Sequence, residues 1–153
     1  MTPTSVAPLT DLEDALLQEL ARIALTLPRD FTADLGRAAG VSLSEYHVLM
    51  HLAGAPGHML RVGALARRTG LTLGAVTRVM RLLEDKGLAA RRRSAEDGRG
   101  QDALLTDPGR ERLAQASPVH TAGARRYVLD RLDPSALATL VDALRRIGDH
   151  DRD

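Results

Sequence analysis

From Thr10 onward, apolar residues return every three or four positions: Leu12, Leu16, Leu20, Ile23, Leu27, Phe31 and Leu35. That spacing predicts a helix with one apolar stripe. Thr10 or Asp11 is placed to cap its start, and Asp11, Glu13 and Asp14 complement the positive end of the helix dipole. Pro28 interrupts the stripe without shifting its phase, which favours a kinked helix while leaving two helices open. Ala38-Ala39-Gly40 closes the segment. The stripe is longer than the core of a compact monomer needs, which points to pairing with a second subunit.

The remaining pattern is a succession of shorter elements. Ser42 or Ser44 caps a helix through SLSEYHVLMHLAG, stopped at Pro56-Gly57. Met59 to Arg61 reads as a short strand, Val62 to Thr69 as a short helix, and Gly70-Leu71-Thr72 as a tight turn. A third helix runs from Leu73 to Lys86 and ends at Gly87. Leu88 to Ser94 and Gln101 to Leu105 are candidate strands around the turn-rich stretch 95–100. Thr106 caps a helix entered through Pro108 and expected to reach about Leu132 despite Pro118. Asp133-Pro134 opens the last helix, with Leu137, Leu140, Val141, Leu144 and Ile147 on one face. The ends, Met1 to Pro8 and GDHDRD, are polar leads.

The fold class predicted is mainly α with a small β-wing: a winged helix-turn-helix lobe plus a helical dimerisation region. A helix-turn-helix requires apolar inner faces and a turn residue tolerant of unusual φ. Leu65, Ala66, Gly70, Leu71, Val76 and Val79 meet that requirement over a short span. A plain αα-hairpin would meet it too, but the opposite face of the second helix carries Thr72, Gly74, Ala75, Thr77, Arg78 and Arg81. Small residues there allow deep entry into a major groove. Thr can reach phosphate or base, and Arg can pair bidentately with guanine O6 and N7.

Charge sharpens this picture. Between Leu60 and Gly100 stand ten basic and four acidic residues, while the 153-residue chain as a whole carries only +1. An otherwise acidic protein has gathered its positive charge where a nucleic-acid footprint would fall. Arg91, Arg92 and Arg93 lie at the base of the wing, where a solvated patch and direct phosphate contact remain equal alternatives. Arg99, near the tip and flanked by Gly98 and Gly100, suits the narrow electronegative minor groove. Asp97 beside it is expected to shape the turn or orient an Arg.

Leu43-Ser44 with Tyr46, Pro56-Gly57, Leu65-Ala66, Leu83-Glu84, Gly87-Leu88, Arg91-Arg92, Asp97-Gly98-Arg99 and Leu105-Thr106 with Gly109 follow one another in an order that resembles the MarR family of bacterial transcriptional regulators. The resemblance spans roughly Thr10 to Gly148, and the Asp-x-Arg wing followed by Leu-Thr and Gly is its most specific part. It implies a single MarR-type domain over 1–153, with 10–40 and 107–148 as the helical dimerisation region and 42–106 as the winged lobe. It further implies an obligate homodimer on a palindromic operator, most simply a repressor. Such repressors are often relieved by a small effector, commonly an anionic aromatic, lodged between the two regions. Carried over by position, 72–86 becomes the recognition helix and Arg99 the minor-groove residue. The chain departs from the family pattern twice. Arg81-Leu82 replaces an acidic residue and Arg before Leu83-Glu84, which makes Arg81 the candidate partner of the wing Asp. Ala89 replaces a larger aliphatic at the start of the wing.

His47 and His51 lie one turn apart on the second helix, as a helical metal pair would, with His58 following. They are candidates for lining an interface or, with Tyr46, an effector cleft, where titration near neutral pH would matter. A metal-responsive regulator built on His47 and His51 is one alternative, with Asp or Glu from the first helix completing a site. A winged helix that binds protein and no DNA is another. No cysteine is present, which excludes disulfides, thiolate metal sites and thiol catalysis. No G-x-S-x-G, G-x-x-x-x-G-K-[ST] or H-E-x-x-H occurs. Neither an enzyme nor a cofactor is therefore expected. No membrane span or signal segment is read from the sequence, so the expected location is the cytoplasm.

Overall fold

The computed structural model describes residues 7–94 and 100–148. Helix α1 runs unbroken over Asp11–Ala39, about 43 Å at 1.5 Å per residue. Thr10 is its N-cap and forms a reciprocal capping box with Glu13. Pro28 lies inside the helix, so the open question resolves to one continuous element. Gly40 closes it in the left-handed conformation.

Helix α2 covers Leu43–Ala53, with Ser42 as cap and Glu45 completing a second capping box. Strand β1 (Met59–Arg61), α3 (Val62–Thr69) and α4 (Leu73–Asp85) follow. Gly70 joins α3 to α4 at φ 70°, a conformation a side chain resists. Strands β2 (Ala89–Arg93) and β3 (Gln101–Leu105) complete an antiparallel sheet in the order β1-β3-β2. Asp102 of the central strand stands between Arg61 and Arg92 in register. Helices α5 (Asp107–Tyr127) and α6 (Leu137–Gly148) end the described chain.

The core forms where the apolar faces of α2, α3 and α4 meet one another, the sheet, and the C-terminal end of α1. Leu35, Leu49, Leu52, Leu65, Val76, Met80, Leu83 and Leu88 are fully enclosed there. Burial of such side chains contributes roughly 1.5–3 kcal/mol each, which makes this lobe the stable part of the single chain.

Several boundaries differ from the sequence reading, α4 ending at Asp85 and β2 at Arg93, each one residue early. Helix α5 stops at Tyr127, short of Leu132, because Val128 leaves helical geometry and a 3-10 turn, Leu129–Arg131, follows. The stretch after Asp133 is first a 3-10 turn, Pro134–Ala136, and becomes α6 only at Leu137. The wing strand starts one residue later than Leu88, whose N–H closes the end of α4 by donating to the Leu83 carbonyl at 2.8 Å. The expectations for Asp97, Gly98 and Arg99, and those for the two terminal leads apart from Ala7 and Pro8, lie outside the described residues.

Candidate nucleic-acid interface

Helix α4 presents one face to the core and the other to solvent. Val76, Val79, Met80 and Leu83 point inward and are buried. Thr72, Gly74, Arg78 and Arg81 are exposed, and Ala75 and Thr77 half-exposed, on the remaining surface. Thr72 caps the helix by accepting the Ala75 N–H at 3.2 Å, which leaves its hydroxyl hydrogen for another acceptor. Thr77 donates to the Leu73 carbonyl at 2.9 Å, leaving its oxygen able to accept. Arg78 has no hydrogen-bond or ion-pair partner among the described residues.

Beside this face, a cavity of about 780 Å³ opens between α3, the start of α4 and the wing. Leu60 and Val62 contribute apolar wall, and Arg61, Arg67, Arg92 and Thr77 contribute polar groups. Sequence reasoning had not singled out Arg61 or Arg67. Both were counted in the charge of the window, but only the packing of α3 against the sheet brings them to the same cleft as Thr77. Arg92 is exposed and leans toward the buried Asp102 carboxylate, 3.9 Å away. Arg93 is exposed at the end of β2.

Arg91 is placed differently. Its guanidinium grips Glu84 of α4 with two of its nitrogens, Nε at 2.9 Å and Nη2 at 2.6 Å. That bidentate bond holds the Glu84 carboxyl below the usual range and raises Arg91, with Arg81 adding to the field on Glu84. The tie between recognition helix and wing strand thus runs from an acid on the helix to a base on the strand. Asp97, for which Arg81 is the candidate partner, lies outside the described residues.

A second cluster lies where α1, α2 and α5 cross. The His120 ring is sandwiched between Phe31, 5.1 Å between centroids, and Tyr46, 4.4 Å. Tyr127 meets Phe31 edge-on at 5.4 Å, so all three aromatic residues of the chain gather here. Tyr46 is buried, and His47 stands 6.0 Å from His120. Burial lowers the pKa of His47, helped by His120 and His51. It likewise lowers His51, with Arg68 adding repulsion, and His120. Tyr46, His47 and His51 are candidates in the sequence, whereas Phe31 and His120 are not, because their stacking is made between helices far apart in the chain. His58 stands apart in function: its Nδ1 pairs with the Ala53 carbonyl at 3.0 Å. No group of three or more His, Cys, Asp or Glu among the described residues is arranged to hold a metal ion, and α1 supplies Phe31 to this junction. No described helix is long and apolar enough to cross a membrane.

A helix-turn-helix whose second helix exposes small, hydroxyl and Arg side chains, beside a β-ribbon rich in Arg, defines the winged helix-turn-helix class. Comparison with known proteins places the chain within that class. The MarR family model matches residues 39–100. The HTH-type transcriptional repressor Rv2887 of Mycobacterium tuberculosis is 34% identical over 129 residues, 84% of this chain and 90% of that protein. Among solved structures, the MarR family regulator Sco3205 of Streptomyces coelicolor, crystallised in complex with DNA, superposes with a TM-score of 0.89. It is 30% identical, with 95% of this chain and 91% of that one covered. AbsC, a MarR family regulator from the same organism, gives 0.87 at 28% identity over 96% and 99% of the two chains. The chain belongs to the MarR family of transcriptional regulators and is not an enzyme.

Proposed function

We propose that the protein is a homodimeric regulator that binds a palindromic DNA site in sequence-specific fashion, most simply as a repressor. The observation that carries this reading is the exposed face of α4, with Thr72, Gly74, Ala75, Thr77, Arg78 and Arg81 beside the cationic cleft of Arg61, Arg67 and Arg92. Each α4 enters a major groove, with Arg78 reading a base edge and Arg92 and Arg67 meeting phosphate. Arg91 contributes by holding the wing to α4 through Glu84, and the proposed reach of Arg99 into the minor groove extends from that wing. That Sco3205 was crystallised in complex with DNA supports DNA binding by this chain.

Residues 42–106 form the DNA-reading lobe, and 10–40 with 107–148 the dimerisation region. Leu12, Leu16 and Leu17 of α1 and Leu140, Val141 and Leu144 of α6 are exposed on the single chain, as surfaces awaiting a partner would be. A two-fold axis through that region sets half-sites about one helical turn, roughly 34 Å, apart. The crossing of α1, α2 and α5 is the proposed effector site. An anionic aromatic would bind beside Tyr46, His47 and His51, and relieve repression to the extent that it favours a dimer mismatched to the operator.

Selection of bound fragments from genomic DNA by the purified protein tests the reading. The expected result is a small set of sites sharing an inverted repeat, with affinity falling steeply as salt rises. Recovery of no site above random duplex, together with no retention on DNA at low salt, leaves a protein-interaction module in its place. Within a recovered site, Arg78→Ala should relax base preference at one position per half-site; uniform weakening over all sequences would make Arg78 a phosphate contact.

A further inference from the structure

The chain contains twenty Arg and one Lys, and that Lys stands at the C-cap of the recognition helix. Lys86 Nζ lies 2.6 Å from Glu45 Oε1 and 3.0 Å from the Gly40 carbonyl. Glu45 is 2% exposed, and its other carboxylate oxygen accepts the Ser42 N–H at 2.6 Å in the capping box of α2. Gly40 is the residue that terminates α1. One ammonium therefore joins three helix ends: the C-terminus of α1, the N-terminus of α2 and the C-terminus of α4. Each partner suits its place, a carboxylate in the first turn of α2 and a cation against the last carbonyls of α1. An ammonium is a compact donor that can serve two acceptors in different directions, which the planar fork of an Arg does less well.

Apart from the Glu84–Arg91 tie to the wing strand, the contact between α4 and the core is apolar, through Val76, Val79, Met80 and Leu83. Apolar burial is not directional and permits the helix to roll or slide on its seat. A charged hydrogen bond to a buried carboxylate is directional and fixes one orientation. Lys86 and Glu45 also stand at the inner end of α4, adjoining the α2 residues Tyr46 and His47 and not the DNA-facing surface.

We infer that Lys86 and Glu45 are positioning residues for DNA reading: their ion pair sets the angle at which α4 is presented, and so sequence discrimination, without touching DNA. This rests on the DNA-binding reading above. Two variants test it with signs that electrostatics alone does not reproduce. Glu45→Gln retains a capping-box residue, removes a negative charge and breaks the ion pair. Lys86→Met breaks the pair from the other side.

Affinity is measured for a duplex recovered in the genomic selection and for a random duplex of equal length, across a salt series, with thermal melts of each variant. The expected result is that both variants lower the ratio of selected to random affinity about ten-fold, the scale of coupling between contacting residues. Random-duplex affinity and the salt slope should stay at wild-type values, and the double variant should lose less than the two single losses combined.

Four outcomes overturn the proposal. In one, Glu45→Gln tightens both duplexes alike, as simple loss of negative charge would. In another, Lys86→Met weakens both alike with a shallower salt slope, which makes Lys86 a phosphate contact. In the third, both variants melt earlier while the ratio holds, which leaves the pair a structural role only. These three leave the DNA-binding reading standing. A wild-type protein that does not distinguish the two duplexes overturns that reading as well.

Discussion

Gly109 lies in the first turn of α5 where that helix passes the Leu88 backbone between α4 and β2, and a Cβ there would stand 1.9 Å from the Leu88 carbonyl oxygen and 2.8 Å from Leu105 Cδ1. Backbone atoms on one side leave nothing flexible to yield. Thr106 fixes the approach from the other side, accepting the Gly109 N–H at 3.1 Å and donating to the Gly87 carbonyl at 2.7 Å. Gly109→Ala should therefore destabilise the fold by about 3 kcal/mol, at the severe end of overpacking, as measured by urea denaturation. A change within a few tenths of a kcal/mol would mean that α5 can lift off the wing freely.

At the scale of elements, the junction of α1, α2 and α5 holds three histidines whose pKa values lie below the usual 6.5. The unfolded chain takes up protons near 6.5, while the folded chain resists them until the pH reaches the lowered values. The stability these groups support is whole above pH 6.5 and falls as the pH drops through the folded pKa values. Around them stand Arg68, which disfavours a charge on His51, and the rings of Phe31, Tyr46 and Tyr127. The expected result is a melting temperature that falls by a few degrees between pH 7.5 and 5 in wild type, and by visibly less in a His47→Gln, His120→Gln double variant. Parallel profiles for the two proteins would place the acid sensitivity elsewhere.

For the whole molecule, the lobe formed by α2 to β3 has a closed core, whereas the N-terminal half of α1 and most of α6 have none of their own. Leu12 is 81% exposed and Leu25 77%. With the proposed dimer, stability and DNA affinity should both depend on protein concentration in the range where it dissociates. A Leu16→Asp, Leu144→Asp double variant should sediment as a monomer and bind a two-half-site duplex about 100-fold more weakly, since the avidity of two linked lobes is lost. Retention of the dimer in that variant would move the interface to another surface.

Periodicity and local chemistry determined the elements themselves: the stripe of α1, the Thr10, Ser42 and Thr106 caps, the Gly70 turn and the wing strands all stand at or within a residue of their expected places. These features depend on neighbours three or four positions away, so a linear pattern records them. The end of α5 was less legible, because a helix that stops at Tyr127 without a Gly or Pro signal is stopped by its surroundings. Tertiary structure alone decided which charges are paired. Arg91 reads the same as Arg92 and Arg93 in the sequence, yet it is held by Glu84. Lys86 reads as a helix-end cation, yet it is bound to a carboxylate 41 positions earlier. Phe31 and His120 meet only because α5 packs across α1 and α2. Packing brings together residues whose separation along the chain carries no periodic trace, and the positioning of a site depends on just those contacts.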